Sequence, residues 1–254
     1  MRTAEKFSRY FLLLLLFGLI SPLQGATIIA KFLGEMLSTP ILRSIDTGSS
    51  WSKQTVGIMH FQRTGGTASP TPTDFYGFCI EPAEGVTTNQ TYTYTYDILS
   101  SGATNINGMG ATKADYLRQL YEKFAPAFNA SMLDDVTARA LQIASWEIVR
   151  ETSGTFNVSN GSIRFSSSNI GGQTLTAAES TLAAAAMTRA QTYLSSLVDP
   201  ATYTEKPYYF ALTRTGNQDI GVYWTPEPLT IGLVGLGLLG MLAYTSRRGH
   251  SGRS

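Results

Sequence analysis

Hydrophobic and polar residues alternate in several short stretches of the chain, with the period of a half-buried β-strand. In one of them Tyr92, Tyr94 and Tyr96 alternate with threonines, so one face of the predicted strand is aromatic. Comparable stretches predict strands over residues 26–33, 54–63, 75–80, 90–98, 208–213 and 219–224. Gly216-Asn217 predicts a turn between the last two strands.

The hydrophobic period changes to that of an α-helix in the middle of the chain. The first helical stripe ends before Pro126 and consists of Leu117, Leu120, Tyr121 and Phe124. The second predicts a helix that begins at Asp134 or Asp135, and its apolar members are Val136, Ala140, Ile143, Ala144 and Ile148. Two consecutive helices are therefore expected between the fourth and fifth predicted strands.

An alanine-rich segment predicts a third helix over residues 177–197. Thr176 and Glu179, directly at its start, have the spacing of a capping box. The order of strands, then helices, then strands predicts an α+β domain, in which a β-sandwich or barrel-like sheet carries a helical insertion. This domain is expected to span residues 27–225.

The amino-terminal segment has a different character. Basic residues precede an apolar stretch over 10–20, and small residues follow at 21–26. This order is typical of a secretory signal peptide. Residues 1–26 are therefore predicted to be removed on export. The short apolar core, broken by Pro22, argues against a permanent anchor helix.

The carboxy-terminal segment, 226–254, has three consecutive parts. Pro226-Glu227-Pro228 separates it from the domain, because proline does not continue a strand or enter a helix interior. The uncharged run 229–244 is slightly shorter than the ~20 apolar residues that span a bilayer. Arg247 and Arg248 follow it, which favours a cytoplasmic end by the positive-inside rule.

This arrangement resembles the PEP-CTERM sorting signal of Gram-negative bacteria in order, spacing and composition. The resemblance implies recognition by an exosortase and cleavage near Pro226-Glu227-Pro228. The apolar run would hold the protein in the inner membrane before processing. The domain would then be delivered to the cell surface or the extracellular matrix.

Composition and charge limit what the domain does. Charged residues make up 15% of the chain and the formal net charge is +1, so the sequence lacks the basic footprint of a nucleic-acid-binding protein. Neither a metal-ligand cluster nor a phosphate-binding loop is apparent, and no cofactor is implied. The chain contains one cysteine, Cys79, which excludes an internal disulfide and marks the thiol as a candidate reactive group.

Two segments carry the candidate chemistry. The first is Phe78-Cys79-Ile80, which places the thiol on a predicted strand between bulky apolar neighbours. The second is the helical segment 141–146, in which Gln142 and Trp146 are four residues apart and share one face. A polar amide at the edge of a buried helix face needs a hydrogen-bond partner.

Together these two segments resemble the thioester domains of Gram-positive surface adhesins, over about residues 74–151. Carried over by position, Cys79 supplies the sulfur of an internal thioester, Gln142 supplies the acyl carbon and Trp146 packs near the bond. Ser145 stands where the family usually has an aliphatic residue. The resemblance implies a covalent adhesin that captures an amine of a partner once, rather than an enzyme with a catalytic cycle.

Two alternatives remain open at the level of the sequence. The first is a non-reactive structural or carbohydrate-binding matrix protein, with Cys79 buried and reduced and the tyrosine-rich strand stacking on sugars. The second, more distant, is a secreted cysteine hydrolase with His60 as its base. Glu147 and Glu151 are expected on the solvated side of the second helix.

Overall fold

The computed structural model describes residues 25–224, except 46–49, 69–71, 126–127, 129–132, 153 and 204–207. The sorting signal predicted over 226–254 lies outside the described residues, as does the predicted signal peptide except for its last two positions. Within the described part of the chain, no helix is both long and apolar enough to cross a membrane.

The described residues form seven β-strands, three α-helices and three short 3-10 helices. The strands are β1 (Thr27–Ile45), β2 (Ser52–Gly65), β3 (Asp74–Cys79), β4 (Thr91–Ile98), β5 (Ile163–Ser166), β6 (Tyr209–Thr213) and β7 (Ile220–Tyr223). The α-helices are α1 (Gly110–Phe124), α2 (Asp135–Arg150) and α3 (Ala177–Ser195), and the 3-10 helices are Leu99–Ser101, Thr104–Ile106 and Pro200–Thr202. The predicted α+β class is confirmed.

All strands belong to one antiparallel sheet in the order β2-β3-β7-β6-β4-β1-β5, and β1 also pairs with β2. The pairings therefore lead from β1 through β2, β3, β7, β6 and β4 back to β1, and six strands form a closed ring. The long strand β1 makes this possible, because its first residues pair with β4 while most of its length pairs with β2. Its last residues, from Leu42 to Ile45, pair with β5.

The aromatic face of β4 points into the core. Tyr92 and Tyr94 are buried, whereas Thr91 and Thr93 between and before them are exposed. Tyr94 packs edge-on against Phe61 of β2, with ring centroids 6.2 Å apart. The alternative in which this tyrosine face stacks on sugars therefore finds no support at Tyr92 and Tyr94, since their rings pack in the interior.

Helix α2 is the most buried helix of the described fold. Asp134 caps its first turn by accepting a hydrogen bond from the backbone N–H of Thr137 at 2.7 Å, as the pattern predicts for a helix that begins here. Every residue from 138 to 149 is buried.

Helix α3 begins with the predicted capping box of Thr176 and Glu179. It packs against α2, so the strands contact one side of α2 and α3 covers another.

The expectation that Glu147 and Glu151 are solvated is wrong. Both side chains are buried, and loop residues that follow α2 supply their hydrogen bonds. The backbone N–H of Asn157 donates to Glu147 at 2.7 Å, and that of Ser162 donates to Glu151 at 3.2 Å. Burial and, to a smaller extent, the neighbouring Glu151 raise the pKa of Glu147 to about 8, although the hydrogen bond from Asn157 acts to lower it.

Glu147 therefore makes the stability of the fold depend on pH. The folded protein keeps the proton on this carboxyl up to about pH 8, whereas the unfolded chain releases it near pH 4.5. The free energy of unfolding should decrease as pH rises through this window. We expect the melting temperature of Glu147→Gln to exceed that of the wild type by an amount that grows with pH. A constant difference across the window, measured by thermal denaturation, would contradict this.

Candidate functional site

The site is built where β3 and β7 lie side by side. Cys79, the last residue of β3, pairs with Ile220, the first residue of β7. Two residues earlier, a Cβ atom on Gly77 would collide with the Ile220 side chain and lie 2.7 Å from the carbonyl oxygen of Gly221. Glycine at this position therefore allows β7 to approach β3 closely. Gln218, which lies two residues before the start of β7, is consequently brought to the end of β3.

The predicted partner Gln142 lies directly against Cys79, but at its backbone. Its carboxamide oxygen accepts the backbone N–H of Cys79 at 2.9 Å, and its nitrogen donates to the carbonyl oxygen of Cys79 at 2.7 Å. Both polar ends of Gln142 are thus used to dock α2 on the end of β3. The side chain is 2% exposed, so these bonds satisfy an amide that water does not reach.

Three N–H groups point at the sulfur of Cys79. The indole nitrogen of Trp146 lies 3.1 Å from it and the backbone nitrogen of Glu81 3.4 Å. The carboxamide nitrogen of Gln218 lies nearer than both, at 2.5 Å. The structure therefore brings Cys79, Gln142 and Trp146 together, as the sequence comparison with thioester domains implies, and adds Gln218 as a fourth member.

The carboxamide carbon of Gln218 lies close to the Cys79 sulfur, as a simple geometric bound shows. An amide C–N bond is about 1.33 Å long, so the carboxamide carbon of Gln218 lies within about 3.8 Å of the Cys79 sulfur. Reacting atoms in a near-attack arrangement are about 3–3.5 Å apart. Because the amide of Gln142 is engaged with the peptide group of Cys79, Gln218 is the better placed of the two glutamines for attack by the thiol.

Two buried carboxylates fix the chain around Gln218. Asp219 accepts the backbone N–H of Arg214 at 2.7 Å and that of Thr104 at 2.9 Å. Glu81 accepts the backbone N–H of Asp219 at 3.2 Å. These bonds tie the turn before β7 to the segment that follows β3. Gln218 is therefore held in place by its neighbours on both sides rather than projecting from a free loop.

Burial dominates the electrostatics of the thiol. It raises the pKa of Cys79 to about 12, although the hydrogen bonds from Trp146, Glu81 and Gln218 and the positive charge of Arg43 each act to lower it. Burial also raises the pKa of Glu81, to about 7. The resting sulfur is thus a protonated, desolvated thiol surrounded by donors that favour negative charge.

Ser145, the residue that departs from the thioester-domain pattern, has a clear structural role. Its hydroxyl donates to the carbonyl oxygen of Leu141 at 2.7 Å and lies 2.9 Å from the hydroxyl of Tyr121 on α1. The Tyr121 ring stacks on Phe78, with centroids 5.6 Å apart. Ser145 thus satisfies a buried tyrosine beside the site, without replacing any group that contacts the sulfur.

His60, the candidate base of a hydrolase, has other partners. Its ring stacks on Tyr76 with centroids 4.8 Å apart, and its Nε2 lies 3.3 Å from a carboxylate oxygen of Asp74. The hydrogen bonds that the structure gives to the Cys79 sulfur come from Trp146, Gln218 and Glu81. The arrangement therefore offers no support for a Cys79–His60 pair.

No match to this chain was found among protein-family models, curated proteins or solved structures. The assignment of a role to the site therefore depends on its geometry and on the sequence resemblance. Among the described residues, no group of three or more His, Cys, Asp and Glu side chains is arranged to hold a metal ion.

Gln218 is the site residue that sequence reasoning missed. It lies between the predicted turn Gly216-Asn217 and the predicted strand that begins at residue 219, where neither periodicity applies. The available signal was a polar amide immediately before a short apolar strand. Such a residue is placed by the pairing of β7 with β3, which is a long-range contact.

Proposed function

We propose that the domain carries an internal thioester between Cys79 and a glutamine, and that this bond captures an amine of a binding partner. The observation that carries the proposal is the contact of the Gln218 carboxamide with the buried Cys79 sulfur at 2.5 Å. Gln142, the partner implied by the sequence resemblance, supports the site by holding the backbone of Cys79. The closed ring of strands also supports the barrel-like form of the predicted sheet.

Formation of the bond requires one substitution at an amide. The thiol transfers its proton, and the sulfur attacks the carboxamide carbon of Gln218. The carbon–nitrogen bond breaks, and the nitrogen leaves as ammonia after gaining that proton. The product is a thioester in a site from which water is largely excluded, because Cys79 is 2% exposed and the buried Trp146 contacts the sulfur.

Capture is a second substitution at the same carbon, in which a nitrogen of the partner replaces the sulfur. A neutral amine of the partner, such as a lysine side chain, attacks the thioester carbon. The carbon–sulfur bond breaks, an amide joins the partner to Gln218, and the proton lost by the amine returns to the Cys79 sulfur. Each molecule reacts once, so the protein functions as a covalent adhesin rather than as an enzyme.

The terminal segments favour a place of action outside the cytoplasm. The signal-peptide pattern of 1–26 and the resemblance of 226–254 to a PEP-CTERM signal support export, an inner-membrane intermediate and processing by an exosortase. The surface or extracellular matrix of a Gram-negative bacterium is therefore the proposed location. The partner in this proposal is a surface molecule that presents a primary amine.

Intact-mass spectrometry tests the proposal directly. We expect the purified protein to weigh less than its sequence by one ammonia, because thioester formation expels that molecule. Treatment with methylamine should raise the mass by one methylamine and release a thiol that reacts with an alkylating reagent.

A mass equal to that of the plain sequence, with Cys79 alkylated only after unfolding, would refute the thioester. That result would favour the non-reactive matrix protein. The raised pKa of the buried thiol is what such an inert cysteine would show.

A further inference from the structure

Arg43, on β1, is a buried cation next to the candidate thioester. Its side chain is 7% exposed, and its guanidinium carbon lies 4.9 Å from the centre of the Trp146 ring. One guanidinium nitrogen donates a hydrogen bond to the carbonyl oxygen of Pro82. Trp146 in turn donates its indole N–H to the Cys79 sulfur at 3.1 Å, so the same side chain contacts both the guanidinium and the sulfur.

This guanidinium lacks the anionic partner that a buried charge normally has. Among the described residues Arg43 forms no ion pair, and its Nε atom has no hydrogen-bond partner. Burial of an unpaired charge is unfavourable, and buried charges are usually paired or functional. Arg43 is therefore a cation positioned without a resident counter-ion.

The anion that this position fits is the Cys79 thiolate, because the Trp146 ring lies 4.9 Å from the guanidinium carbon and donates its N–H to the sulfur at 3.1 Å. The positive charge of Arg43 acts on Cys79 and lowers its pKa against the effect of burial. Other ionisable groups around Cys79 are Glu81, which follows it closely in the chain, and Tyr94 and Tyr121, whose pKa values its charge affects. Arg150 acts on Arg43 as a like charge.

We infer that Arg43 is a positioning residue that stabilises the Cys79 thiolate, both when the sulfur attacks Gln218 and when it leaves during capture of an amine. The inference rests on the proposed thioester. In both steps the sulfur carries negative charge before a proton or an acyl group is attached to it. A fixed cation over the Trp146 ring lowers the energy of that state without contacting the substrate.

The alternative role of Arg43 is that of a cover. By joining Pro82 to Trp146 it holds the segment after β3 against the site. The two roles predict opposite effects on the reactivity of the thiol. Loss of the charge makes the thiolate rarer and alkylation slower, whereas loss of a cover exposes the sulfur and makes alkylation faster.

The test uses a Gln218→Ala background, in which the thiol stays free, and the neutral reagent iodoacetamide below the pKa of Cys79. Loss of the positive charge removes one of the effects that lower the pKa of Cys79, so Arg43→Met should slow alkylation about two- to tenfold. Arg43→Lys, which keeps the charge, should restore most of the rate. Thermal denaturation of each variant confirms that it is folded.

Arg164→Met is the matched control, because Arg164 also lies over a tryptophan ring, that of Trp51, at 5.6 Å. It should leave the alkylation rate unchanged. With Gln218 present, Arg43→Met should also slow the reaction of the thioester with methylamine, by about two- to tenfold. An unchanged or faster alkylation in Arg43→Met overturns the inference. A wild-type protein without the mass deficit overturns the proposed thioester instead and leaves the alkylation result interpretable.

Discussion

Gln218→Ala is expected to abolish the thioester completely and to leave the protein at the mass of its sequence. The reason is that the carboxamide nitrogen of Gln218 lies 2.5 Å from the Cys79 sulfur, whereas the amide of Gln142 is bound to the backbone of Cys79. In the wild type, methylamine should be found on Gln218 when peptides are sequenced by mass spectrometry. The variant should form no covalent adduct with methylamine at any concentration.

Matched variants make this result specific. Cys79→Ala should abolish the adduct equally, because it removes the other atom of the bond. Gln191→Ala alters a glutamine on α3 that bonds to the backbone of Phe156 and Val158, and it should leave the adduct intact. Methylamine on Gln142 instead of Gln218 would show that the pairing implied by the sequence resemblance is the correct one.

Gln142→Leu is expected to lower the free energy of unfolding by about 3 kcal/mol, because it leaves the backbone N–H and C=O of Cys79 buried without partners, at about 1–3 kcal/mol each. Urea denaturation measures this. The comparison is best made in the Gln218→Ala background, where no covalent bond contributes to stability.

Gln119→Leu provides a closely matched control for this experiment. Gln119 bridges the backbone N–H and C=O of Val198 with the same two-point geometry, at 3.0 and 3.1 Å. Val198 is 55% exposed, so water can replace the lost bonds and the expected cost is below about 1 kcal/mol. Equal losses of unfolding free energy in the two variants would contradict this prediction. They would show that burial of the Cys79 peptide group does not raise the cost of losing its two hydrogen bonds.

Periodicity predicted the parts of the site that lie on regular elements. Gln142 and Trp146 share a face of α2 because they are four residues apart, and the structure places both against Cys79. What the spacing could not reveal is which atoms of Cys79 each residue contacts. That depends on the crossing of α2 over the end of β3, which is a tertiary property.

The features that sequence reasoning missed depend on long-range pairing. Strand β5 is only four residues long and exists through its pairing with the end of β1, beyond the predicted first strand. Glu147 was expected in solvent because it is a charged residue on a helix, but the loop at Asn157 folds over it and supplies a hydrogen bond. Local sequence contains neither of these partners.

Gln218 lies two residues before the start of β7, and this position has a mechanical consequence. Strand β7 ends at Tyr223, so an acyl group on Gln218 is separated from Trp224, the last described residue, by a few residues only. A tensile load between a captured partner and an attachment beyond Trp224 would run through this one strand. The other strands of the ring and the helices would lie outside the loaded path, and their unfolding would not part the two molecules.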